Sequence, residues 1–370
     1  MRLPATAPSS AMPAVTKGSV YLMYAFDVAP HIDLELCERS LATAQRLAIR
    51  TKRRALQYFA YRPAPLRVQL DAESIALGTY RTEPSIDVVL YDFGAVSVTY
   101  TIKLQGSHES LVSLSGDLYD NEALLADSRR QIERVFEVFP AAVPSLGVTV
   151  GPEDYVVYHL EAFVEPLTPE RFSELHRREM AQLLRAEPLP LSDQEVADAG
   201  VARIGFGPDD LAVIDWNAAV LLGGDVEDLR TVLEFANVQL VELRFLDRQL
   251  DDALEQSYAL VSRRRWTWPA LLRSYRSDAQ RVARLQVDAA MLFERVTNAL
   301  KLFGEEYLTR VYRLAAERFR LSEWDANILR KLHTLESVYG KLTDQAAARR
   351  LELLEWVIVL LIALSIVLAF

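Results

Sequence analysis

Nine consecutive residues, Val96 to Leu104, alternate without exception. Val96, Val98, Tyr100, Ile102 and Leu104 are separated by Ser97, Thr99, Thr101 and Lys103. Successive side chains of a strand point to opposite faces, so this spacing predicts a strand with one buried and one polar face. Upstream, "IDVVLYDFG" carries a second apolar run into Asp92-Phe93-Gly94. Glycine tolerates the positive φ of a tight turn or bulge, so the chain can reverse there and 86–104 reads as a hairpin.

The other elements are ordered around that hairpin. Gly18 to Val28, "GSVYLMYAFDV", is β-rich. Asp33 can cap a helix whose apolar positions Leu34, Cys37, Leu41, Ala44 and Ala48 recur at three and four, running to about residue 58 before "YRPAP" breaks it. Leu124, Leu125, Ile132, Val135 and Phe136 define a helix over roughly 120–139, and Tyr155 to Val164 is a further strand. The sequence strand, helix, strand, strand, helix, strand is the ferredoxin-like, split βαβ order, two helices on one face of an antiparallel sheet. The expected class is therefore α+β, with this domain over 18–222. A helix near 169–184, a loop at 186–200 and a last edge strand at 210–222 complete it. Residues 1–17, rich in Ala, Pro and Ser, read as a disordered tail.

From Asp225 the pattern becomes heptad-like. Leu229, Leu233, Ala236, Leu240, Leu243, Leu250, Leu254 and Val261 fall on a 3–4 spacing, interrupted at Asp247 and Ser257. A second helix carries Leu285, Ala289, Leu292, Val296, Ala299 and Phe303, and a third Trp324, Ile328, Leu332, Leu335 and Leu342. Such seams suit partner helices, so 225–350 is expected to be a coiled-coil domain, either an intramolecular antiparallel bundle or an oligomerisation element. The strongest seam positions are Leu233, Leu240, Leu250, Leu292, Val296 and Phe303.

The end of the sequence, "ARRLELLEWVIVLLIALSIVLAF", is apolar on every face from Trp356 onward. A helix over 351–370 would be roughly 30 Å long, the thickness of a hydrocarbon core, although the charge-free part alone is about 22 Å. Trp356 suits an interface, Glu355 lies at the edge, Leu360 and Leu361 lie in the core of the run, and Phe370 ends it. With Arg349 and Arg350 on the near side, the positive-inside rule keeps the remainder of the chain cytoplasmic. The expectation is a C-terminal transmembrane anchor in a bacterial inner membrane, the mitochondrial inner membrane facing the matrix being the alternative.

Chemistry is sparse. His31, His108, His159, His176 and His333 show no metal-ligand spacing, and Cys37 is the only cysteine, so no zinc cluster or intramolecular disulfide is expected. No phosphate loop or nucleophile elbow occurs. Asp92-Phe93-Gly94 spells the kinase magnesium motif without the rest of a kinase, so the turn reading stands. Asp247, Asp251, Asp252 and Glu255 alternate with Arg244 and Arg248, the pattern of paired charges on a solvated helix face. The basic stretches "RTKRR" and "SRRRWTW" could contact phosphates, but the net charge of −10 argues against a general affinity for nucleic acid. No catalytic, cofactor or metal-binding residue is identified.

Two pieces resemble one family. "VVLYDFGAVSVTYTI", with Tyr91, Asp92, Phe93 and Gly94, is similar to a strand pair of the required-for-meiotic-nuclear-division, or YagE-like, family (domain of unknown function 155). The ending, in which Leu354-Glu355-Trp356 leads into the apolar run, and the helix over 232–251 resemble the same family. That resemblance implies a membrane-associated, oligomeric protein. The combined expectation is a membrane-anchored, self-associating scaffold or adaptor with a cytoplasmic head, its partners the lipid bilayer and copies of itself. Its alternatives are an enzyme with a site in the α/β domain, or a membrane tether for ribosomes or nucleic acid.

Overall fold

A computed structural model describes residues 12–43, 49–51, 64–143, 147, 151–262, 283–287, 289–290 and 306–369. The chain divides into two compact units, Met1–Glu242 with Arg295–Ser322, and Leu243–Glu294 with Glu323–Phe370.

Among the described residues, the first unit is built on one sheet of ten strands. These are β1 (Val15–Asp27), β2 (Ile49–Thr51), β3 (Leu66–Asp71), β4 (Ala76–Leu77), β5 (Tyr80–Leu90), β6 (Ala95–Gly106), β7 (Glu153–Phe163), β8 (Arg203–Ile204), β9 (Leu211–Ile214) and β10 (Ala218–Leu222). They lie in the order β2-β3-β5-β6-β1-β7-β10-β9-β8, with β4 on β5. The hairpin forms from β5 and β6, with Leu90 opposite Val96 and Val88 opposite Val98. β1 sits between β6 and β7, antiparallel to both.

The ferredoxin-like expectation is corrected here. β5, β6, β1 and β7 are neighbours, but the sheet continues past both ends of that group and is mixed. β10 runs parallel to β7, with Val220 opposite Tyr158. The expected edge strand at 210–222 is instead a hairpin, β9–β10, turned at Asp215-Trp216-Asn217. Parallel neighbours need a long crossover. It is supplied after β7 by α4 (Pro169–Leu175), α5 (Arg177–Arg185) and α6 (Asp193–Ala199). Thr168 caps α4 and Ser192 caps α6, each side chain accepting a backbone N–H three residues on, so part of the expected loop at 186–200 is helical.

One face of the sheet carries the apolar core. Val20, Leu22, Tyr24 and Phe26 of β1, and Val96, Val98, Tyr100, Ile102 and Leu104 of β6, point into it. Against them pack Leu34 and Cys37 of α1 (Leu34–Thr43), Leu111, Leu114 and Leu118 of α2 (His108–Leu118), Ile132, Val135 and Phe136 of α3 (Glu122–Val138), and Phe172, Leu183 and Leu184 of α4 and α5. Asn121 caps α3 by accepting the Leu124 amide at 2.9 Å.

The opposite face was expected to be solvated. It is covered by α7 (Glu227–Ser262) and α8 (Glu306–Arg318), leaving Ser97 and Thr99 each 1% exposed. Phe319 packs edge-on to Tyr155 of β7 at 4.9 Å, and Phe235 of α7 lies 6.2 Å from Tyr312 of α8. A polar strand face is thus an interior face, and its alternation marks polar pairing inside the molecule.

The second unit contains the later part of α7 and helix α9 (Leu321–Ala369). Among the described residues no helix is long and apolar enough to cross a membrane. This corrects the transmembrane anchor expected over 351–370, and with it the membrane localisation. Although α9 spans 49 residues, its charge-free run begins only at Trp356, after Glu352 and Glu355.

Candidate functional site

The residues singled out by sequence scatter into three places. Tyr91, Asp92, Phe93 and Gly94 form the turn of the β5–β6 hairpin, and all three side chains are buried. Gly94 has φ +103°, and a Cβ there would lie 1.6 Å from the Ala29 carbonyl oxygen. The loop after β1 is latched onto this turn: the Val28 amide donates to the Gly94 carbonyl at 3.0 Å, and the Ile32 amide to that of Asp92 at 2.9 Å. The motif is therefore a backbone latch. Of the seam residues, Leu233, Leu240 and Leu250 are buried on α7, while Leu292, Val296 and Phe303 lie outside the described residues. Of the terminal residues, Glu355, Trp356, Leu360 and Leu361 are exposed on α9, Arg349 and Arg350 belong to the same helix, and Phe370 lies outside the description.

The basic stretch at 262–268 is outside it apart from Ser262, and of 50–54 only Arg50 and Thr51, in β2, are described. Several histidines have structural neighbours. His159 Nε2 is 2.9 Å from the Gly223 carbonyl oxygen, His176 lies against Phe172 at 5.2 Å, and His108 Nε2 is 3.1 Å from Gln182 Oε1.

The densest polar assembly was not anticipated. From Arg230 to Val241 every residue of α7 is buried, polar ones included. A helix apolar on one stripe would leave a wet face; this one has none, so its polar side chains must be satisfied internally. Arg67 of β3 donates to Glu234 Oε2 at 2.8 Å and to Glu227 Oε1 at 3.2 Å, and lies 3.8 Å from Asp87 of β5. Arg230 binds Glu227 at 2.5 Å and covers the Tyr21 ring at 4.9 Å. Thr99 donates to Glu234 Oε1 at 3.3 Å. Further along, the Asn237 amide donates to the Glu153 carbonyl at 3.0 Å, and Tyr312 pairs with Gln239.

Burial opposes the charge on Arg230, but Glu227 and Glu234 outweigh it and hold the guanidinium above its usual pKa. Burial raises the Tyr91 phenol, with Glu234 adding to the effect and Arg67 and Arg230 opposing it. Removing two charges from water costs several kcal/mol per ion unless geometry and hydrogen bonds compensate. Here two guanidiniums interleave with three carboxylates, so the cluster fixes where α7 starts on the sheet.

A second ionic assembly closes the other end of the sheet. The fully buried Asp215 pairs with Arg318 of α8, which also donates to Asp198 of α6 at 2.9 Å. Arg185 Nε lies 2.7 Å from Asp215 Oδ2, off the hydrogen-bonding direction, while its guanidinium covers the Trp216 ring at 5.8 Å. Hydrogen bonding to Arg318 holds the Asp198 carboxyl below its usual pKa, and the Arg318 guanidinium is correspondingly raised.

In the second unit, Asp247 does not lie on a solvated face. Asn327 and Lys331 of α9 reach its carboxylate at 2.9 and 2.7 Å, and Lys331 also binds Asp251 at 2.6 Å. Arg244 covers the Trp324 ring at 5.5 Å. A polar residue in a helix seam fixes register at some cost in stability, and Asp247 has that position.

Part of this was readable. Arg230, Glu234, Asn237 and Val241 form a second stripe on α7 at 4-3-4 spacing, beside the leucine stripe. Nothing in the sequence paired it with Arg67 and Asp87, which are over 130 residues away.

A large mixed sheet with helices on both faces, its inner helix held by buried charge, defines an α+β protein. Residues 17–228 match the model of the family described as "Uncharacterized protein MJ0711, N-terminal domain". The chain belongs to that family. It is 24% identical over 220 residues to the protein MJ0711 of Methanocaldococcus jannaschii, a match covering 57% of this chain and 65% of that protein. No solved structure matches the chain. The family match overturns the resemblance to the meiotic-nuclear-division, YagE-like family. The shared Tyr-Asp-Phe-Gly turn is a local solution to a tight hairpin and is a weak guide to ancestry.

Proposed function

We propose that this chain is an interaction protein whose contact surface is the apolar end of α9. One observation carries the reading. From Leu354 to Ser365 every residue of α9 is exposed, although all but Glu355 and Ser365 are apolar. Trp356, Leu360 and Ile362 are 67, 66 and 55% exposed. Proteins rarely leave contiguous apolar patches larger than a few hundred Å² uncovered, and larger ones mark contact sites. In the first unit, by contrast, the buried charges of the α7 cluster and of Asp215 pair with one another.

The test is a photo-reactive phenylalanine analogue placed at Val359 of the full-length chain in living cells, with Glu255, exposed on α7, as the control position. Covalent adducts with protein at Val359 and few at Glu255 are expected. Adducts with lipid alone, or none at Val359, would overturn the reading.

A further inference from the structure

We infer that the occupant of this surface is a second copy of the same chain, joined along a stripe through Trp356, Leu360 and Ala363. The inference rests on the proposed function and names its partner.

The first argument is size. Leu351, Leu354, Trp356, Val357, Ile358, Val359, Leu360, Leu361, Ile362 and Leu364 are each about half exposed or more. Together they present on the order of 1,000 Å² of apolar surface around the helix, and burying roughly half of it on each copy removes about 1,000 Å², the lower bound of a specific contact. The second is self-complementarity. No charged residue occurs from Trp356 to Phe370, so two identical helices meet without like-charge repulsion. A two-fold axis requires such a patch, which must fit its own copy.

The third argument is register, and it selects the stripe. Ile328, Leu332, Leu335 and Tyr339 are buried positions of α9 within the second unit. Heptad spacing repeats a face every seven residues. Carried forward by three heptads, Leu335 and Tyr339 fall on Trp356 and Leu360, and the next seam position is Ala363. The seam that packs inside one chain thus reaches, at the same spacing, positions that are exposed on α9. Ile358 and Ile362 lie off this stripe.

The experiment places single cysteines in the full-length chain as Trp356→Cys, Leu360→Cys, Ala363→Cys, Ile358→Cys and Ile362→Cys. The native Cys37 is buried and leaves the background clean. Disulfide formation demands Cα atoms about 4.4–6.8 Å apart, so it reads which positions meet their own copy. At least tenfold faster cross-linking at 356, 360 and 363 than at 358 and 362 is expected. The unsubstituted chain should also show the mass of a dimer or higher multiple by light scattering, a readout independent of every variant. A monomer at all concentrations, or equal cross-linking at all five positions, overturns the second copy. If protein adducts at Val359 persist, the interaction reading survives that result. A monomer in mild detergent that floats with phosphatidylcholine vesicles and yields only lipid adducts overturns both.

Discussion

The two parts of α7 share a leucine spacing but are solvated differently. From Arg230 to Val241 the helix is buried on all sides, and its polar side chains bond to the sheet and to α8. From Leu243 onward, Arg248, Asp251, Asp252, Glu255 and Tyr258 are exposed, and a stripe through Leu243, Leu246, Asp247, Leu250, Ala253 and Ser257 stays buried. The same 3–4 periodicity therefore served two purposes. In the second unit it makes a seam, and in the first it is one side of a helix whose other side is also interior.

Four substitutions probe that contrast, in order of falling effect. Glu234→Ala removes the carboxylate that holds Arg67 and Thr99, leaving buried positive charge behind. Loss of about 3–5 kcal/mol is expected in urea unfolding of the head. A loss below about 1 kcal/mol would show that the cluster is wet and the contrast with the second unit false.

Asp27 tests what burial does to a carboxylate in the sheet. Burial raises its carboxyl to about 7, against an ordinary value of 3.8. The native state then binds the proton more tightly than the unfolded state, so stability is greatest below the unfolded value. It falls as pH rises from about 4 through about 7. Asp27→Asn should stabilise the protein above pH 7 by on the order of 2 kcal/mol and flatten that slope. An unchanged slope in thermal melts between pH 5 and 8 would assign the titration elsewhere.

In the second unit, Asp247→Ala strands Lys331 at the seam but leaves it Asp251 as partner, so a loss of about 1–2 kcal/mol is expected. Equal losses for Asp247→Ala and Glu234→Ala would erase the distinction between a half-solvated lock and a buried one. Glu255→Ala, on the exposed side, should change stability by less than about 0.5 kcal/mol.

The legibility of the fold follows the range of its interactions. The hairpin was legible because Val96 to Leu104 and the Gly94 turn are local in sequence. α3 was legible from Leu124, Ile132 and Val135 on one face. β1 and β7 were legible as the β-rich runs at 18–28 and 155–164, whereas short runs such as Leu66–Asp71 and Arg203–Ile204 were not, since they gain their β character from neighbours distant in sequence. Burial of Ser97 and Thr99 was hidden for a related reason: polar alternation looks identical whether water or a polar helix covers it. The apolar end of α9 was conspicuous, but hydropathy reports a need for cover and not its source. The charge cluster was half visible, its stripe on α7 readable and its sheet partners not.

The position of β1 has a consequence for how the protein is made. Its two neighbours lie far downstream, Val15 pairing with Gly106 on one side and with Phe163 on the other. At about 5–20 residues per second, the first strand to leave the ribosome waits on the order of ten seconds for its second partner. Until then, even once β6 has emerged, it is a long apolar strand with one edge open, the kind of segment that pairs with the wrong chain. A stalled chain should pull on the ribosome in two steps, after residue 106 and again after residue 163 have emerged. The central strand of the finished sheet thus closes its two edges in two steps widely separated in synthesis.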